Sequence, residues 1–168
     1  MDTVLQTDTQ TALLATDVWC FTARYGTAEL CLHHVLLVAQ LVKSCTAECH
    51  QSVHLGLLLK RLVFLMTPDH QMELVRSFPP SEVENLPVWR HVLLRAFSQD
   101  ARPSVEADIV GLAQKALTDW QNGGYKLGQV DKVVRATSVC TGDVILTSRC
   151  SLLTSRWWPV VLTSSYQT

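Results

Sequence analysis

The segment 17-DVWCFTARYGTAELCLHHV-35 holds two cysteines, two adjacent histidines, a tryptophan and a Gly-Thr pair. It reads either as a thiol or metal site or as the turn of a helix hairpin. The hairpin follows from ordinary capping chemistry. Gly26 can end one helix in a left-handed cap, and Thr27 can open the next by accepting a bond from a free backbone N–H. Glu29 then falls in the first turn, where the helix dipole favours a carboxylate. In this reading Trp19 and Phe21 are buried bulk, Cys20 and Ala23 allow close approach, and Cys31 and Val35 pack the return helix.

The same punctuation continues outward to about residue 121. Thr46 precedes Glu48, Thr67 precedes Pro68 and Asp69, Ser81 and Glu84 form a capping-box pattern, Pro87 predicts a further start, and Ser104 follows Pro103. In the Thr27 helix, Glu29, His33, Gln40 and Ser44 make one narrow polar stripe on an otherwise apolar cylinder, which predicts a helix covered over most of its circumference. In the Thr46 helix, His50, His54 and Arg61 share a stripe, and Cys49, Val53, Leu57 and Phe64 lie elsewhere. The stretch 88-VWRHVLLRAF-97 predicts an amphipathic helix with Trp89, Val92, Leu93, Ala96 and Phe97 on one side. Val105, Ile109, Leu112, Ala116 and Trp120 predict another. The fold expected is all-α, antiparallel helix hairpins stacked as an α-solenoid fragment over residues 1–135. Such a piece should leave an uncapped apolar surface, expected on the Thr27 and Thr46 helices.

After 122-NGGYKLG-128 the composition shifts toward Ser and Thr with few charges, so residues 136–168 are expected to be an irregular, non-homologous tail. Trp157 and Trp158 in it should be more exposed than Trp19 and Trp89.

Composition narrows the function classes. With 168 residues, 48% hydrophobic and 17% charged, the chain has enough apolar material for a core. A formal net charge of -1 provides no overall basic field for a phosphate backbone, and Lys60-Arg61 is the one adjacent basic pair. The first residues lack a secretory pattern, so the six cysteines read as free thiols. The two greasiest runs fall short of a membrane span.

A metal site would draw on Cys45, Cys49, His50 and His54, with a second pair from His33 and His34. Those two side chains diverge by about 100° on a helix. A thiolate site would pair Cys20 or Cys31 with His34, but no oxyanion turn or orienting residue accompanies them. The residues therefore predict no catalytic, cofactor-binding or metal site.

The blocks WCFTARYGTAELCLHHV, KSCTAEC, LLLKRLVFLM and FPPSEVENLPVW, in that order, closely resemble a family of long nuclear proteins of animals and plants, the fidgetin-like-ATPase-interacting regulators of recombination and mitosis. These are built around a domain of unknown function with a Trp-Cys-Phe motif, here Trp19, Cys20 and Phe21. The similarity runs from about Thr11 to about residue 121 and fades near Lys132. It implies an α-helical, non-catalytic scaffold in the nucleus, associated with chromosomes. The partner implied is a AAA ATPase that strips a RecA-type recombinase from chromatin, with roles in cross-link repair, meiotic crossover control and chromosome segregation. The resemblance brings no catalytic residue, cofactor, small-molecule ligand, nucleic-acid contact or membrane contact. Because the family proteins are several times longer, the chain is expected to be an internal fragment or truncated product. A small Cys/His enzyme and a helical adaptor in membrane traffic are the competing classes.

Overall fold

In a computed structural model of the chain, the described residues are 4, 8–45, 50–124, 126, 128 and 130–140. Helix α1, Thr9–Tyr25, is opened by Asp8, whose carboxylate accepts the Thr11 amide at 3.0 Å. That bond and one from the Thr11 hydroxyl hold the Asp8 carboxyl below its ordinary value. Helix α2, Ala28–Ser44, opens as its sequence predicts, with the Leu30 amide donating to Thr27 Oγ1 at 3.1 Å. Gly26 differs from expectation. Its φ is -84°, not left-handed. The glycine serves close approach instead, because a Cβ there would sit 2.7 Å from the Thr22 carbonyl oxygen and 2.9 Å from Leu30 Cδ2.

Helix α3 spans His50–Val63 and α4 spans Pro68–Ser77. Thr67 stands at the N-cap position of α4 without a side-chain capping bond, and Pro68 sits at the first helical position, where a missing N–H costs nothing. Thr46 and Cys49 lie outside the described residues. The capping box of Ser81 with Glu84 does not form. A 3₁₀ turn at Val83–Asn85 runs into α5, Leu86–Trp89. The amphipathic helix expected through Phe97 stops after that single turn, and a second 3₁₀ turn covers Leu94–Ala96. Tertiary bonds explain this departure. Trp89 Nε1 donates to the Phe78 carbonyl at 2.9 Å. The buried Gln71 amide donates to the Ala96 carbonyl at 2.7 Å and accepts the Ser98 N–H at 2.9 Å. These bonds satisfy backbone groups that a helix would otherwise have to satisfy itself.

Helix α6, Arg102–Asn122, ends at Gly123 and Gly124, the latter at φ 72°. Helix α7, Val130–Cys140, runs past the boundary expected at residue 135 and buries Val133, Ala136 and Val139. Residues 141–168, including Trp157 and Trp158, lie outside the described residues.

The class is all-α, and no strand occurs among the described residues. Helices α1, α2 and α3 pack on one another, α4 and α5 pack on α2, and α7 packs against α6 and α5. One continuous core runs from Val35, Val38 and Val42 of α2 through Leu55, Leu58, Leu59 and Leu62 of α3 to Ala113 and Leu117 of α6. The polar stripe of Glu29, His33, Gln40 and Ser44 is exposed, as the α2 pattern predicts. Val105, Ile109, Ala116 and Trp120 are buried, with Leu112 half-buried.

Two glycines in helix interiors offer a matched test. A Cβ on buried Gly56 would lie 2.3 Å from His91 Nδ1, whereas one on Gly111 meets nothing within 4 Å among the described residues. Replacing helical Gly by Ala gains about 1 kcal/mol of propensity, and forcing a packed neighbour aside costs about 1–3 kcal/mol. Gly111→Ala should therefore stabilise by roughly 0.5–1 kcal/mol. Gly56→Ala should be neutral or lose up to about 2 kcal/mol. Chemical denaturation of the two variants checks this, and a clear stabilisation by Gly56→Ala would show that His91 yields freely.

His91 also predicts a pH dependence. Burial, then the charges of Arg90 and Lys60, push its imidazole below the ordinary value. Burial, then His33, does the same to His34. Both rings bind their protons more weakly when folded. Protonation therefore favours the unfolded chain, and stability should fall as pH drops through about 6.5, the unfolded value. The depressed Asp8 and Glu29 carboxyls act in the same direction only below about pH 4.5. Melting temperatures between pH 7.5 and 5.5 should decline, and less so for His91→Gln. A slope unchanged in that variant would remove His91 from the account.

Candidate functional site

Helix α1 is apolar on two opposite faces. Ala12, Thr16 and Ala23 are buried against the rest of the chain, with Ala15 and Trp19 packed beside them. The buried Thr16 hydroxyl donates to the Ala12 carbonyl at 2.8 Å. On the far side, Leu14, Val18, Phe21 and Tyr25 are 66%, 56%, 65% and 71% exposed. Steps of four, three and four put them in one stripe. The Phe21 and Tyr25 rings stack along it with centroids 4.6 Å apart. Val53 and Leu57 on α3 and Phe64 just after it are exposed too, although the sequence pattern places them on a covered side. Helix α2, expected to share this surface, contributes the partly exposed Leu37.

Between the C-terminal halves of α1 and α3 lies an open cleft of about 530 Å³. Cys20, Phe21 and Tyr25 line one wall, Phe64 and Leu65 the other, with Asp17, Arg24 and Arg61 at the polar positions. Arg61 Nη1 meets Asp17 Oδ1 at 2.5 Å, and this bond raises the already high guanidinium value. The Arg95 guanidinium lies 6.0 Å above the Phe64 ring. Arg24 has no ion-pair partner among the described residues.

The Trp-Cys-Phe motif is spread around α1. Trp19 is half-buried, its ring 4.5 Å from that of His34. Cys20 is half-buried and lines the cleft. Phe21, expected in the core, points outward. At about 100° per residue it lies some 200° from Trp19, so a helix that buries one exposes the other.

The thiols are poorly placed for nucleophilic work. Cys20 and Cys31 carry free thiols. Burial pushes the Cys20 thiol up against the opposing pull of Arg61, and pushes Cys31 up as well. Cys31 Sγ faces the Leu62 carbonyl at 3.9 Å. His34 Nδ1 is buried with no hydrogen-bond partner among the described residues. Of the metal-ligand candidates, His33 and His50 are exposed, His54 is half-exposed and Cys45 ends α2. No group of three His, Cys, Asp or Glu residues that could hold a metal occurs among the described residues. No described helix is long and apolar enough to cross a membrane.

The exposed stripe was legible as a 4-3-4 repeat of Leu14, Val18, Phe21 and Tyr25 opposite a second repeat of small residues. Reading Phe21 as core concealed it.

The family described as a domain of unknown function (DUF4487) matches residues 1–155, beyond Lys132 where the four-block resemblance fades. A Danio rerio protein named FIGNL1-interacting regulator of recombination and mitosis is 57% identical over 132 residues, covering 79% of this chain and 14% of that protein. Proteins of the same name from Rattus norvegicus and Homo sapiens are 44% identical over 139 residues and 45% over 123. These cover 83% and 73% of this chain. The chain spans 14–15% of the length of these curated relatives. No solved structure matches.

Proposed function

The chain belongs to the DUF4487 family, and on that premise we propose that it is a non-catalytic helical scaffold, one part of a regulator of recombination and mitosis. In this reading the regulator partners a fidgetin-like AAA ATPase. Together they control recombinase filaments in homologous recombination, cross-link repair and chromosome segregation, in the nucleus and on chromosomes. The observation that carries the reading is the identity of 44–57% to relatives bearing that name. The chemistry supports it. An apolar stripe beside guanidinium groups suits protein contacts. Thiols raised by burial lack the thiolate character that the Cys/His enzyme would need.

The test is binding of the purified chain to a purified fidgetin-like AAA ATPase, with deletion of the matching segment from the human relative as the cellular arm. Saturable binding, and loss of recombinase-focus clearance on deletion, are expected. No binding, together with normal clearance after deletion, would reject the proposal.

A further inference from the structure

We propose that the cleft between α1 and α3 is a docking site for an acidic amphipathic helix of another protein, anchored by Phe21 and oriented by Arg24. This rests on the scaffold reading above and says where, and by what chemistry, a partner is held. Three observations converge. The stripe from Leu14 to Tyr25 lies opposite the chain's own core and is about 16 Å long, three helical turns at 1.5 Å per residue. Its spacing of three and four is the ridge that a second helix packs against. The cleft beside it receives aromatic side chains from α1 and from the turn that follows α3, and Phe21 lines it, exposed and stacked on Tyr25. A rigid aromatic at the centre of an exposed apolar surface has the character of an interface anchor.

Charge selects the occupant. Arg24 and Arg61 line the cleft, Arg95 lies over Phe64, and Asp17 is the carboxylate facing them, already bonded to Arg61. This basic rim belongs to a chain whose formal net charge is -1. Arg24 therefore stands ready for a carboxylate that the described residues do not supply, and its fork geometry favours that partner. An apolar helix flanked by Glu or Asp meets both requirements. A basic helix meets only the apolar one.

The probe is a fluorescent helical peptide of about 18 residues, five turns. It carries Leu at positions i, i+3, i+4 and i+7 flanked by Glu, and is compared with the same peptide flanked by Lys. The Glu peptide should bind the full chain more tightly. Arg24→Glu should weaken it about fivefold and favour the Lys peptide. Phe21→Ala should weaken both about thirtyfold. Both side chains are exposed, so unchanged circular dichroism and melting will confirm that the variants fold. Equal binding of the two peptides overturns the proposal. So does self-association of the chain that Phe21→Ala abolishes, or preferential binding of a single-stranded oligothymidylate that these variants weaken. The same variants tested on the ATPase separate the two readings. If the ATPase binds and neither variant matters, the docking site is wrong and the scaffold reading stands. If the ATPase does not bind but the Glu peptide shows both dependences, the site stands and the ATPase partnership falls.

Discussion

Trp89→Ala is expected to destabilise the chain by about 3–5 kcal/mol, the largest single-residue loss in the fold. Trp89 is 1% exposed, its ring centroid is 5.9 Å from that of Phe97, and its indole N–H donates to the Phe78 carbonyl. Truncation removes a large buried area, opens a cavity between α5 and the loop after it, and leaves a buried carbonyl unpaired. Trp89→Phe separates these contributions, since it keeps most of the bulk and loses the donor. It should cost about 1–2 kcal/mol by the hydrogen-bond share alone. Urea denaturation of both variants measures the split. If Trp89→Ala loses under about 1 kcal/mol, the site has collapsed around the gap and the packing described here is not rigid.

The second large effect is expected at Asn85, 1% exposed and bonded on both sides of its amide. Its Nδ2 donates to the Pro79 carbonyl at 3.0 Å and to Glu82 Oε2 at 3.1 Å, and its Oδ1 accepts from Lys43 Nζ at 2.8 Å. The amide thereby ties α2 to the turn that replaces the expected helix start. Asn85→Ala should cost about 1–3 kcal/mol, chiefly through the Pro79 carbonyl and the half-buried Lys43, since the exposed Glu82 regains water. Pairing Asn85→Leu with Lys43→Met removes a donor and its acceptor together and should recover part of the loss. Strictly additive losses in that cycle would mean that the Lys43 bond contributes nothing.

Local chemistry was readable where it acts locally. Asp8 went unnoticed as a cap, but Thr27 and Pro68 open their helices as their residue types dictate, and the polar stripe of α2 lies where its period puts it. The stretch 88–97 was misread because its conformation is decided at a distance. Gln71, on another helix, holds Ala96 and Ser98, and the Trp89 indole reaches back to Phe78. Trp89, Val92 and Phe97 there are buried as expected and Leu93 and Ala96 half-buried, but beyond Trp89 the chain is not α-helical. Gly26 shows the reverse error: the right residue for a turn, read for its torsional freedom when the space beside Thr22 and Leu30 decides it. At the candidate site, the motif Trp19, Cys20, Phe21 was visible as letters. Its splitting among core, cleft and solvent depends on how α1 sits on α3.

The two-faced character of α1 has a consequence in the cell. A helix that displays Leu14, Val18, Phe21 and Tyr25 to water is also a signal to quality control, which reads exposed aromatic and branched side chains as damage. Whatever covers that face also hides a degradation mark. The protein's half-life should then follow the supply of its cover. Depleting the cover should lower the protein's abundance with no change in its messenger RNA, and Phe21→Ser should uncouple the two levels.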